Sequence, residues 1–323
     1  MLNKFVIKVA IFSLIGYVGA FAIDFKVSET LKNTHYRDYG VWNEIFSGEI
    51  DADIVINGSS RALVHFAPSI LDQRLGVNSY NLGMDGHEFI FQKCRFDIYT
   101  KYNGYPDVVL QVADHGIVTR AEPNELYGIN QFLPYLDDEI MRDCTKNFVG
   151  LDWFDYYLPL VKYTNSEALE LAIGIVLGDE RYDQVRYVKG FLPKYESWRE
   201  GTIESAWERY PDGMTNVIYE DVTDLFEEYI EDLIAHEVQV ILVWPPEYIE
   251  GQDFIVNRDE HLQYFTDISN KYGLLFLDFQ KHTLSMDQSY FYNSQHMNVT
   301  GVEIFMNLLV DSVEQYGGFN LNL

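Results

Sequence analysis

The sequence predicts an α/β fold of three layers, with helices on both faces of a five-stranded parallel sheet and a mostly helical insertion. Three observations predict it. Short apolar runs that read as strands alternate with segments of helical spacing, as a parallel sheet with crossover helices requires. The run Asp107-Val108-Val109-Leu110-Gln111-Val112-Ala113 has almost no polar alternation, which marks a strand covered on both faces. The rhythm breaks between about 116 and 218, a stretch rich in Tyr, Trp, Asp and Glu, and then resumes.

In order, Asp53 to Asn57 is a short apolar run that stops at Gly58-Ser59-Ser60-Arg61, a buried strand and its turn. Pro68 to Leu75 carries apolar residues at helical spacing, with Pro68 suited to a first turn and Gly76 to a stop. Asn78 to Leu82 is a second strand, ending at Gly83, and Glu88 to Tyr102 is a helix. Residues 107–113 form the third strand. After the insertion, Asp221 to His236 reads as an amphipathic helix and Val238 to Val243 as the fourth strand, closed by Trp244-Pro245-Pro246. Arg258 to Tyr272 is a helix, Leu274 to Leu277 a fifth strand, and Val302 to Val313 the final helix. In open sheets of this kind ligands sit outside the carboxyl ends of the strands. Ser60, Gly83, Asp114 and Pro245 all fall at such ends.

The formal charge of −27 argues against nucleic acid, because a phosphate backbone would be repelled. Lys4 and Lys8 precede an uncharged apolar run, Val9 to Ile23. A span usually needs about 17 residues or more, a length reached by counting from Phe5 with Lys8 snorkelling. Residues 1–25 therefore read as a membrane anchor or, with Ala20-Phe21-Ala22 as a cleavage site, a signal segment; both place residues 26–323 outside the cytoplasm. A buried N-terminal helix is the remaining reading. Cys94 and Cys144 could pair in an oxidising compartment or stay as buried thiols. Neither a Cys-x-x-Cys nor a His-Glu-x-x-His occurs, so no metal site and no cofactor is expected.

The chemistry lies in two segments far apart in the chain. A serine hydroxyl becomes a nucleophile when a base takes its proton, and the base is usually a histidine oriented by a third group. Gly58 lets the chain bend so that Ser60 stands at a strand end, although Gly-Ser-Ser also occurs in plain turns and caps. His296, in Asn293-Ser294-Gln295-His296-Met297-Asn298 before the last helix, is the candidate base.

Together these blocks resemble the SGNH/GDSL hydrolase superfamily, in its membrane-anchored, extracytoplasmic branch similar to polysaccharide O-acetylation proteins. The resemblance rests on Gly58-Ser59-Ser60-Arg61, on Tyr80-Asn81-Leu82-Gly83, and on Asn293 to Asn298 with Gly301, and covers about residues 53–115 and 237–315. It implies a flavodoxin-like (SGNH) domain over 26–323, Ser60 as nucleophile, His296 as base, and Ser60 and Gly83 amides as the oxyanion hole. It implies an acyl-serine intermediate and an esterase or O-acyltransferase acting on acyl esters, acetyl above all, of a cell-envelope glycan. A transferase would take an integral-membrane acyltransferase as partner.

Two departures stand out. The family's acid, three residues before the histidine, is Asn293 here, which can orient an imidazole but not stabilise its cation by charge. The family's third block, a Gly-x-Asn donating to the oxyanion, is replaced by Ala113-Asp114-His115. These keep open a rival reading, a catalytically impaired relative that binds glycan or serves in assembly. Arg61, Asp85, Asp114 and His115 are candidate substrate contacts by position, with an internal ion pair as the alternative for Arg61. Trp153, Tyr156, Tyr157 and Trp198 could stack on sugars or pack within a lid.

Overall fold

The computed structural model describes residues 2–120, 126–164, 166–183 and 187–321; parts of the expected insertion and residue 1 of the expected anchor lie outside these. Five strands, β1 (Ile54–Asn57), β2 (Ser79–Asn81), β3 (Val108–Val112), β4 (Gln239–Trp244) and β5 (Leu275–Asp278), pair in parallel in the order β2-β1-β3-β4-β5. This is the doubly wound arrangement whose switch point falls between the first and third strands. A two-stranded antiparallel hairpin, β6 (Phe291–Asn293) and β7 (His296–Met297), follows.

The helices are α1 (Leu2–Leu31) and α2 (Arg37–Ser47) before the sheet, α3 (Ser60–His65) and α4 (Pro68–Leu75) after β1, and α5 (Phe89–Asn103) after β2. Between β3 and β4 come α6 (Glu139–Thr145), α7 (Trp153–Tyr157), α8 (Glu167–Val176), α9 (Thr202–Arg209) and α10 (Glu220–Ala235). The chain closes with α11 (Ile249–Gln252), α12 (Arg258–Tyr272) and α13 (Val299–Gln315).

Successive strand residues point to opposite faces, so a strand apolar at every position is buried on both. On one face Ile54, Ile56, Val108, Leu110, Ile241 and Val243 pack with Phe66 and Leu71 and with Phe305, Leu309 and Val313 of α13. The alternate residues Val55, Val109, Val240 and Leu242 are equally buried, and α5, α10 and α12 form an aromatic layer through Phe89, Phe226, Tyr229 and Phe265. The three-layer architecture expected from the sequence is thus present.

The chain divides into two compact units. One comprises residues 1–44 and 123–185, the other 45–122 and 186–323. The stretch 116–218 expected as one mostly helical insertion is therefore split. From about 187 onward, outside α9, it has little regular structure and bonds by its backbone to the sheet unit, through Leu192 N–H to Leu63 O, Arg199 N–H to Tyr292 O and Met214 N–H to Phe254 O. In the first unit, Trp42 donates to Gln131 and packs edge-on against Phe132 (ring centroids 5.9 Å apart), giving that unit its own core. α1 is long and apolar enough to cross a membrane, and its large apolar side chains from Phe5 to Phe25 are exposed.

Candidate active site

The switch point of the sheet builds the site. β1 ends at Asn57, and Gly58 turns the chain at φ +154°. A Cβ at Gly58 would lie 2.7 Å from Val112 Cβ and 2.9 Å from Ala62 Cβ, closer than carbon atoms tolerate, so only glycine lets β1 pass into α3 beside β3. Ser60 is thereby the first residue of α3, where its backbone N–H has no carbonyl partner within the helix.

The β6–β7 hairpin brings the second segment to it. Ser60 Oγ lies 2.9 Å from His296 Nε2, and His296 Nδ1 lies 3.0 Å from Asn293 Oδ1. The Asn293 oxygen also accepts the backbone N–H groups of Gln295 (3.0 Å) and His296 (2.9 Å). Those two donors fix which end of the amide faces the ring. With an acceptor oxygen against Nδ1, that nitrogen carries the proton, and Nε2 is left with a lone pair for the Ser60 hydroxyl. His65, at the other end of α3, accepts the Met297 N–H on Nε2 at 3.0 Å, so α3 and β7 are tied together on both sides of the dyad. The Tyr292 ring stacks on His296 at 5.5 Å and 11°.

Burial drives the His296 pKa down to about 3, with Arg61 adding to the effect and Glu247 and Asp114 opposing it. At neutral pH the imidazole is therefore uncharged and able to accept a proton. Lacking a carboxylate partner, it gains little when it becomes a cation.

Beneath the dyad lies a charge network. Arg61 points away from solvent, 3.1 Å from Asp114, 3.3 Å from Glu247 and 2.7 Å from His115 Nε2. Arg258 also pairs with Glu247 at 2.9 Å, and Trp244 Nε1 donates to it at 3.1 Å. Ser59 Oγ donates to Asp114 at 3.3 Å and Asn216 Nδ2 lies 2.7 Å from His115 Nδ1. Burial raises the pKa of both carboxyls, but the arginines outweigh it, holding Asp114 below and Glu247 well below the usual range. Two guanidinium cations thus face two carboxylates and balance them in charge, as buried ions require, with Arg61 Nε alone of the two guanidinium groups' atoms buried without a partner.

Ser60, His296 and Asn293 are brought together. Arg61, Asp114 and His115 are buried and bonded to one another, the internal pairing that stood as the alternative for Arg61, and Asp114 is an ionised acceptor of Ser59 and of Gly116 N–H. Asp85 is exposed, and its charge adds to the burial that raises the Tyr292 phenol. The Gly83 N–H, expected in the oxyanion hole, donates to Asn81 Oδ1 at 2.7 Å. The Gly83 backbone also packs on α3 so closely that a Cβ would sit 2.2 Å from Leu63 N. Glu247, Arg258 and His65 were missed. The one signal for Glu247 was its place just after Pro245-Pro246 at a strand end. Among the described residues, no group of three or more His, Cys, Asp or Glu is arranged to hold a metal ion.

No protein-family model matches the sequence, nor does any curated protein. Among solved structures, the chain is similar to a candidate acylhydrolase from Bacteroides fragilis (11% identity, 81% of this chain and 86% of that one, TM-score 0.37). It is similar also to a GDSL-like lipase from Bacteroides thetaiotaomicron (11%, 88% and 99%, TM-score 0.39). A third is described as a candidate platelet activating factor from Streptococcus pneumoniae (12%, 95% and 98%, TM-score 0.36). The functional reading rests on the site's own geometry.

Proposed function

We propose that this protein is a serine esterase or O-acyltransferase that works through an acyl-Ser60 intermediate. The observation that carries the reading is the 2.9 Å approach of Ser60 Oγ to His296 Nε2, with Asn293 holding the imidazole in the tautomer that can accept. His296 takes the Ser60 proton as the hydroxyl attacks an ester carbonyl, and returns it to the leaving alcohol. Water or a sugar hydroxyl then removes the acyl group by the same steps reversed. The Ser60 N–H, unclaimed within α3, is one oxyanion donor; Gly83 N–H becomes a second by sharing itself between Asn81 and the substrate.

The substrate we assign is an acyl ester, acetyl foremost, of a cell-envelope glycan, with the protein held outside the cytoplasm by α1 and partnered by an integral-membrane acyltransferase if it transfers. The exposed apolar α1 supports the location. So does the state of Cys94 and Cys144, neither of which is a free thiol, as an oxidising compartment maintains.

A specific observation favours a second reading. An amide stands in the acid's place, and one expected oxyanion donor is already bonded, which suits a relative kept for binding or assembly with catalysis reduced. A fluorophosphonate probe separates the two. The enzyme reading expects labelling of the wild type that disappears in Ser60→Ala and falls sharply in His296→Ala. A folded wild type that takes no label is the outcome that favours the second reading.

A further inference from the structure

We propose that α7 and the exposed side of α8 form a collar that lies in the headgroup layer of the membrane, around the point where α1 leaves it. This rests on the reading of α1 as an anchor.

α7 is Trp153-Phe154-Asp155-Tyr156-Tyr157, and none of its residues is buried. Trp153, Phe154 and Tyr157 are 61%, 52% and 53% exposed, with the Trp153 and Tyr157 rings 5.0 Å apart. A short helix whose aromatics find no core in their own unit is explained by a partner outside the protein. Its position names that partner. Asp24 is the first charged residue of α1 after Lys8, and so marks where the apolar span ends. Its carboxylate accepts the Leu160 N–H at 2.7 Å and lies 3.5 Å from Lys162 Nζ, while Ser28 Oγ pairs with Tyr163 OH at 2.8 Å. The segment that continues directly from α7 is thus fastened to α1 at the end of the span. The same bonds pair the Asp24 carboxylate where the span ends, and the Asp152 and Asp155 carboxylates of α7 are tied to backbone N–H groups by its capping box. α8 packs on α1 as well and leaves Ile173, Val176 and Leu177 exposed.

Trp and Tyr prefer this depth, because a flat apolar ring with one polar edge is satisfied where hydrocarbon gives way to headgroups. The collar would give α1 a fixed height and limit its tilt, holding the unit it belongs to at a set distance from the bilayer.

Tryptophan emission tests this directly. α1 contains no Trp, and of the chain's five, Trp42 and Trp244 are fully buried, Trp198 and Trp207 partly so, and Trp153 alone is exposed. The full-length protein is reconstituted into phosphatidylcholine–phosphatidylglycerol liposomes whose lipids carry bromine at a shallow or a deep acyl position. The expected result is that the protein floats with the liposomes, that shallow bromines quench more than deep ones, and that Trp153→Phe removes this quenching while flotation is kept. Flotation without quenching, or quenching unchanged in Trp153→Phe, overturns the collar and leaves the anchor standing. Failure to float overturns both. Emission indifferent to bromine but shifted by soluble envelope oligosaccharides gives α7 to a saccharide instead and also overturns the collar.

Discussion

The Asn293 side-chain oxygen accepts two hydrogen atoms from one residue, the backbone N–H of His296 at 2.9 Å and, at 3.0 Å, the proton on that residue's Nδ1. The loop thus uses one acceptor both to shape its turn and to set the imidazole tautomer. An aspartate in the same place would keep both bonds, since both are donated to an oxygen, and would add a negative charge beside the ring.

Asn293→Asp is therefore expected to raise esterase turnover without refolding the loop. Where a triad aspartate is lost from a serine protease in favour of asparagine, turnover falls by about 10⁴. A gain of at least about tenfold is the expected direction here, because the imidazolium formed in the transition state gains a counter-charge. Turnover of a chromogenic acetyl ester by the two proteins checks it. An unchanged or lower rate, with circular dichroism intact, would count against His296 as the base.

The pH dependence follows from the same ring. On the proposed mechanism His296 works in its neutral form, and burial lowers its pKa to about 3 from the ordinary 6.5. The acid limb of kcat/KM should consequently lie well below 6.5, leaving activity nearly flat from pH 7 down to pH 5. In Asn293→Asp the added carboxylate favours the charged ring, so the limb should move up. A wild-type limb at or above 6.5 would contradict the depressed value.

How much of this was written in the chain depends on the range of the forces involved. β1 and the Gly58 turn were legible because a doubly covered strand has no polar alternation and a tight turn demands glycine, both local requirements. Pro68–Leu75 matched its helix to the residue, bracketed by a proline and a left-handed Gly76. Glu247 and Arg258 gave little sign, because their meaning is a meeting with Arg61 across the sheet edge, and no periodicity encodes that. Arg61 left two readings open, a substrate contact and an internal ion pair, for the same reason: its burial is decided by β3 and β4, not by its neighbours in sequence. After 187 the chain outside α9 bonds by its backbone to the sheet unit without regular structure, and such bonds leave almost no pattern in side-chain type.

Glu247 is expected to be the most sensitive member of the buried network. Glu247→Gln leaves Arg61 and Arg258 with one carboxylate, Asp114, between them, an uncompensated buried charge. Breaking such a pair costs about 3–5 kcal/mol, against about 0–1 for a surface pair such as that of Arg74 with Asp311. Urea unfolding of Glu247→Gln beside Arg74→Ala should show the difference, and similar midpoints would refute it.

Acid should lower the stability of the fold over two successive pH ranges. His65, His115, His261 and His296 all have pKa values lowered in the fold, chiefly by burial, so the unfolded chain takes up protons that the folded one refuses. Stability is then full above about 6.5, the unfolded histidine value, and declines as pH falls below it. Asp114 and Glu247 are also lowered and add a second loss beginning near 4.5. Melting temperatures measured from pH 8 to pH 4 should fall below pH 6.5 and fall more steeply near the end. A curve flat down to pH 5 would deny the histidines their buried, neutral state.

Gly83 separates structure from catalysis within the site. A methyl group there would meet Leu63 N at 2.2 Å and Ala62 C at 2.8 Å, backbone atoms of α3 that cannot step aside without carrying Ser60 with them. Gly83→Ala should cost about 1–3 kcal/mol of stability through overpacking, and should lower turnover as Ser60 shifts against His296. Asn81→Ala is the informative companion. It removes the acceptor of the Gly83 N–H and leaves the glycine and its packing on α3 in place, although it also strips the bonds from Asn81 Nδ2 to Ala62 O and Phe66 O. If the Gly83 amide serves the oxyanion, freeing it should hurt turnover less than Gly83→Ala does at equal loss of stability. If both variants lose activity only in proportion to stability, Gly83 is there for the close approach of β2 to α3, and Ser60 N–H stands alone.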